Sequence, residues 1–144
     1  MREILFKAKQ IDNGEWIEGS LIDLDIDSGY CYIVQPYKKA SILPIIFLIT
    51  DRMKLVDPET LCQFTGLYDK NGKKIWENDI LMAHLDESYP EDATYETVEW
   101  GIAGWAVHET GSVDREYLDE FDLEHYEVVG NIFDNKELLQ EEHK

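Results

Sequence analysis

Four histidines, two cysteines and 31 carboxylates are the groups in this chain whose types can do chemistry. The histidines are His84, His108, His125 and His143, and none stands in an HxH or HExxH arrangement that would turn two imidazoles onto one metal ion. His108 is followed by Glu109 and His125 is preceded by Glu124, yet neighbours along a strand point to opposite faces. A metal site built from those two histidines and nearby carboxylates therefore requires the fold to converge them. His84 alternates with Ile80 and Met82, which places it on a half-buried strand face. Cys31 lies between two tyrosines and Cys62 between Leu61 and Gln63, next to Phe64; both read as small buried hydrophobes rather than nucleophiles. The sequence has no GxSxG elbow, no GxxxxGK[ST] phosphate loop and no D-x-[DN]-x-[DN]-G calcium loop. No catalytic residue, metal ligand or cofactor site is assigned, and the chain reads as not an enzyme.

The carboxylates are informative by where they fall. The formal charge is −18, and residues 86 to 127 hold 14 acidic groups against one basic group, Arg115. That segment carries −13, compared with −3 for residues 1 to 85 and −2 for residues 128 to 144. Such a field repels nucleic-acid phosphates and suits a basic partner or a bound cation. The plainer account is a solvated face that keeps the protein soluble. Paired carboxylates for acid–base catalysis are so frequent here that none stands out. Glu91, Asp92, Asp119, Glu120 and Asp122 are the candidates for an acidic interaction surface, since they lie outside the Trp100–Trp105 hairpin, to which the segment's barrel-building duties are mostly confined.

Whatever these groups do must be positioned by strands. Hydrophobic residues make up 44% and aromatics 12% of the 144-residue chain, enough for a core despite 31% charged residues. No apolar run approaches the roughly 20 residues of a membrane span, and MREILFKAKQ turns polar too early for a secretory signal. With only two cysteines a disulfide framework is excluded, and the expected compartment is the cytoplasm of a bacterial host, with both thiols reduced.

Ile4, Phe6 and Ala8 alternate with Leu5, Lys7 and Lys9, and Asp12-Asn13-Gly14 supplies a tight turn into a second strand over residues 15 to 24. Residues 30 to 35 and 42 to 50 read as further strands. Asp57-Pro58 is a helix-start signal with little behind it, so a single turn is expected. Residues 61 to 68 return to strand, Asp69-Lys70-Asn71-Gly72 is a hairpin turn, and Glu77-Asn78-Asp79 turns the chain into residues 80 to 85. Residues 95 to 100 and 104 to 109 pair as a hairpin, with Val98 and Trp100 facing the same way as Trp105 and Val107. Residues 114 to 121 read as a short helix burying Tyr117, Leu118 and Phe121. Residues 126 to 133 form the last strand, and Asp134 with Glu137 opens a short C-terminal helix. Short strands at this spacing indicate a mostly β fold, a barrel or a sandwich. Four tryptophans and eight tyrosines fit core packing better than base stacking, because the Trp100–Trp105 hairpin lies in the most acidic segment.

Two stretches carry a family resemblance: DPETLCQFTGLYDKNGKKIWENDIL, from Asp57 to Leu81, and YEVVGNIFDNKELL, from Tyr126 to Leu139. With the opening FKAKQIDNGEWIEGSLI from Phe6 to Ile22, the chain resembles the YopX family of phage and prophage proteins over almost its whole length. The resemblance implies one unit over residues 1 to 144: an N-terminal β meander over about 1–56, packed on an SH3-like β-barrel over about 57–139. It brings no catalytic residue or cofactor. At one place the chain departs from the family pattern, with Asn78 where the turn usually has Gly; Asn tolerates the left-handed region better than most residues.

The function expected is that of a phage or prophage accessory protein, a non-enzymatic module that binds a host or phage protein through its acidic surface. Two alternatives are a DNA mimic that inhibits a host DNA-binding protein, which needs carboxylates in ordered rows, and a metal-dependent hydrolase, which needs them converged in a pocket. Direct nucleic-acid and membrane contacts are not expected, and a homo-oligomer stays open.

Overall fold

A computed structural model describes residues 3–25, 29–35, 52–83, 93–112, 114–119 and 122–139, with side chains described for all of these except Leu24, Asp25 and Asp122. The protein is mostly β, and its described strands form antiparallel pairs throughout. The chain divides into two compact units, Met1–Phe64 and Thr65–Lys144.

In the first unit, β1 (Phe6–Lys9), β2 (Trp16–Asp25), β3 (Tyr30–Val34) and β4 (Met53–Val56) form a meander, ordered β4-β3-β2-β1. Strand β5 (Cys62–Tyr68) adds beside β1 through Phe6↔Gln63 and Lys7↔Cys62. The alternation that marks these strands in the sequence is the alternation that buries them. Ala8, Ile17, Cys31, Ile33 and Val56 form the core, with Phe6, Leu21 and Leu61 packed against it. Full burial of an aliphatic side chain such as Ile33 contributes about 1.5–3 kcal/mol, more than the ~0–1 kcal/mol of a surface ion pair. Packing, not charge, therefore holds this unit. Gly19 is required by close approach: a Cβ there would stand 2.0 Å from the Val34 carbonyl oxygen on the neighbouring strand. On the outer face, the ammonium groups of Lys7 and Lys9 lie over the Trp16 ring, 4.7 and 5.5 Å from its centroid.

The sheet curls strongly. The far end of β4 returns to the end of β1 through a single bridge, Gln10↔Val56. The Ile11 N–H donates to the Leu55 carbonyl and the Asp57 N–H to the Lys9 carbonyl. A single bridge is not a ladder, and among the described residues the meander stays an open sheet. The helix-start signal at Asp57-Pro58 yields one 3-10 turn, Pro58–Thr60, capped by the Asp57 carboxylate on the Glu59 N–H at 3.0 Å. The strand expected over residues 42 to 50 lies outside the described residues.

In the second unit, the end of β5 goes on to pair with β6 (Lys74–Trp76), and a five-stranded sheet runs in the order β10-β9-β8-β7-β11. Its strands are β7 (Asp79–Ala83), β8 (Thr94–Trp100), β9 (Trp105–Glu109), β10 (Glu116–Tyr117) and β11 (Tyr126–Asn131). Ile75, Leu81, Val98, Trp105, Val107, Tyr126 and Val128 form its core.

The hairpin turn at Asp69–Gly72 closes as its sequence predicts, with Gly72 at φ +79°. Asp69 is 6% exposed and organises the turn. Its Oδ1 accepts from the Asn71 and Lys73 N–H groups, each at 2.9 Å, and its Oδ2 accepts from the Val128 N–H at 2.9 Å. Asp79, 2% exposed, accepts from the Trp76 N–H at 2.8 Å and fixes the second turn. Asn78 has φ +70° and is the one non-glycine residue with positive φ among those described, at the position where the family pattern has Gly.

Two elements differ from the sequence reading. The helix expected over residues 114 to 121 is instead the edge strand β10, paired through Glu116↔Val107 and Tyr117↔Ala106. Tyr117 is half exposed and Leu118 packs on the core, while Phe121 lies outside the described residues. The C-terminal helix is a single 3-10 turn, Lys136–Leu139. Asn131 sets up the bend before it, its Oδ1 accepting from the Phe133 and Asp134 N–H groups at 2.9 and 3.0 Å.

Candidate interaction surface

The registers of β8, β9 and β10 decide which side chains of the acidic segment share a face. Glu99 stands opposite Ala106, Ala106 opposite Tyr117, and Thr97 opposite His108. Because alternate residues share a face, Thr97, Glu99, His108 and Tyr117 lie on one side of the sheet. Val98, Val107 and Trp105 lie on the other, in the core. On the first side, the Arg115 guanidinium forms an ion pair with Glu99. His108 Nδ1 lies 3.5 Å from the same Glu99 carboxylate. The segment's single cation is thus engaged by a local carboxylate. Elsewhere in the segment Glu109, Asp114, Glu116, Asp119 and Glu124 are exposed. Glu96 and Glu109 stand directly opposite each other across β8 and β9.

Of the residues singled out from sequence, Asp119 follows β10 and is exposed. Asp122 begins a 3-10 turn, Asp122–His125. Glu91, Asp92 and Glu120 lie outside the described residues, as do His84 and His143. His125 is exposed at the end of its turn, and His108 sits on β9 with Glu99. Among the described residues no group of three or more His, Cys, Asp or Glu side chains is close enough to hold a metal ion. Cys31 and Cys62 are buried free thiols, as their sequence setting predicts. Burial pushes the Cys31 thiol above its ordinary range, and the charges of Asp23 and Asp57 push it the same way.

Sequence reasoning missed the Glu99–Arg115–His108 group, in which Glu99 and His108 are diagonal neighbours on β8 and β9 and Arg115 precedes β10. The β8–β9 hairpin with its Trp100–Trp105 pair forms as its sequence predicts, but the exposure of its tip is not legible there. Trp100 and Trp105 face each other edge-on, with ring centroids 4.8 Å apart and planes at 72°. Trp105 is buried, whereas Trp100 is 58% exposed and Ile102 is fully exposed.

No helix among the described residues is long and apolar enough to cross a membrane. The fold is similar to that in the crystal structure of protein EF1440 from Enterococcus faecalis, with a TM-score of 0.60 and 21% sequence identity, over 97% of this chain and 100% of that one. No curated protein matches the chain in sequence. The family described as YopX protein matches residues 5–140. That match spans nearly the whole chain and includes both stretches on which the resemblance rests, so the chain belongs to the YopX family.

Proposed function

We propose that this protein is a phage or prophage accessory module that works in the cytoplasm of a bacterial host, without catalysis, by binding a basic protein through its C-terminal acidic surface. The observation that carries the reading is the disposition of charge. Exposed carboxylates at Glu109, Asp114, Glu116, Asp119 and Glu124 share this segment with one cation, Arg115, which Glu99 already engages. A field of one sign left uncompensated within the molecule attracts the opposite sign from outside and speeds encounter.

The test is a variant in which Glu91, Asp92, Asp119, Glu120 and Asp122 become amides, used beside the unaltered protein as bait in a bacterial lysate. A partner recovered reproducibly by the unaltered protein should bind the variant with a slower on-rate and a shallower salt dependence. Failure to recover any partner, or equal binding with equal salt slopes, would remove the acidic surface from function.

A further inference from the structure

We propose that the tip of the β8–β9 hairpin is an apolar anchor that inserts into a basic protein partner, with the carboxylates behind it supplying charge complementarity. This rests on the binding reading above and adds to it the residues that would hold the partner once charge has brought it near.

The tip is built to stay in shape while showing apolar surface to water. The Gly101 N–H donates to the Gly104 carbonyl at 2.7 Å, and the Ala103 N–H donates to the Tyr117 hydroxyl at 3.3 Å. The Tyr117 ring lies so close to Gly101 that a Cβ there would meet it at 3.2 Å. The Leu118 N–H donates to the Trp105 carbonyl, tying the segment after β10 to the hairpin. On this frame Trp100, Ile102 and Tyr117 are respectively 58%, 102% and 45% exposed. A single exposed apolar residue needs no explanation. An isoleucine at the end of a braced turn, flanked by Trp100 on one face of the hairpin and Tyr117 on the other, is different, because Ile102 supports nothing inside the molecule. Ordering the turn in advance also lowers the entropy lost on binding, and Trp and Tyr are among the residues that dominate interface energies.

Charge selects the occupant. Glu99 precedes Trp100, Glu116 precedes Tyr117, and Asp114 and Asp119 flank β10, all within a segment of net charge −13. A second copy of this chain would bring the same sign against it, and so would nucleic acid. The fitting partner is a protein segment with an apolar side chain set among Lys and Arg.

The experiment uses the full chain and two synthetic peptides of equal positive charge, one with Leu and Phe between its Lys and Arg residues and one with Gly and Ser in those places. Binding is read by isothermal titration and by the blue shift of tryptophan emission. The apolar peptide should bind at least about tenfold more tightly, about 1.4 kcal/mol, and Ile102→Ser should erase that advantage without lowering Tm. Equal binding of both peptides, unaffected by Ile102→Ser, would overturn the anchor and leave the acidic surface standing. Failure of both peptides to bind would overturn both. Concentration-dependent self-association abolished by Ile102→Ser would overturn the basic partner in favour of a second copy.

Discussion

The Asp69 carboxylate accepts a hydrogen bond from the Val128 N–H at 2.9 Å, across 59 residues of sequence. The Lys70 N–H reinforces it by donating to the Tyr126 carbonyl at 3.1 Å, so the hairpin turn is fastened to the last strand at two points. The two stretches that carry the family resemblance are thus joined physically, one ending its turn on the other's backbone. A second junction lies at Asn78, whose carbonyl accepts from the Ile132 N–H at 3.0 Å while its own N–H donates to the Val98 carbonyl at 2.8 Å. The family motif describes scaffold.

Asp69→Asn should therefore be destabilising although it is nearly isosteric. Oδ1 would still accept from Asn71 and Lys73, but an amide NH2 would face the Val128 N–H, donor against donor. Loss of a charge-assisted bond together with an unsatisfied buried donor costs about 3 kcal/mol. Urea unfolding monitored by circular dichroism measures it. A midpoint equal to that of the unaltered protein would show that the carboxylate does not hold the two stretches together.

At residue 78 the order of stability should be Gly, then Asn and Ala, then Val. The φ of +70° is reached freely by Gly and tolerated by Asn, whereas other L-residues pay about 1–2 kcal/mol there and β-branched ones more. Thermal melts of Asn78→Gly, Asn78→Ala and Asn78→Val check the series. If Asn78→Val melts at the same temperature as Asn78→Gly, the turn does not constrain φ.

Local signals in the sequence suffice where short-range chemistry decides the outcome. Asp69-Lys70-Asn71-Gly72 encodes its own turn, and the alternation about Ala8, Ile17 and Ile33 encodes which faces are buried. Pairing between distant strands is not written locally. Tyr117, Leu118 and Phe121 have helical spacing, yet the open edge of β9 and the Ala103 N–H draw residues 116 and 117 into a strand. Closure of the SH3-like barrel expected over about residues 57–139 likewise depends on distant strands meeting, and the described strands there form an open sheet that ends at β10 and β11. The Glu99–His108 contact was illegible because the two are diagonal across a hairpin rather than adjacent in sequence.

The Cys31 thiol gives a stability that depends on alkaline pH. Its folded-state pKa is raised, first by burial and then by Asp23 and Asp57. Above the ordinary value of 9.0, the unfolded thiol ionises while the folded one stays protonated. This contribution is therefore complete below that value and is lost as pH rises toward the folded pKa. Urea midpoints should fall from pH 8 to pH 10.5, and Cys31→Ala should flatten part of that decline. Rapid reaction of Cys31 with a thiol reagent in the native state at pH 8 would contradict its burial.

Stability should rise with salt, which requires like-charge repulsion to outweigh the ion pairs that salt weakens. In the acidic segment Arg115 with Glu99 is a pair that screening would loosen, and a half-exposed pair is worth ~0–1 kcal/mol. Against it stand 14 carboxylates in residues 86 to 127, including Glu96 directly opposite Glu109. Like charges facing each other across strands are destabilising by roughly 0.2–1 kcal/mol per pair, and the remaining repulsions act over distances comparable to the Debye length of about 10 Å at 0.1 M. Repulsion is the larger sum, so Tm should climb by several degrees between about 10 and about 300 mM NaCl. Glu109→Gln should raise Tm at low salt and make the slope shallower, because it removes the charge directly opposite Glu96 and leaves the Arg115 pair intact. A flat series for the unaltered protein would mean that the carboxylates are already neutralised. Differential scanning calorimetry repeated after exhaustive treatment with chelator would then show whether a bound cation is responsible.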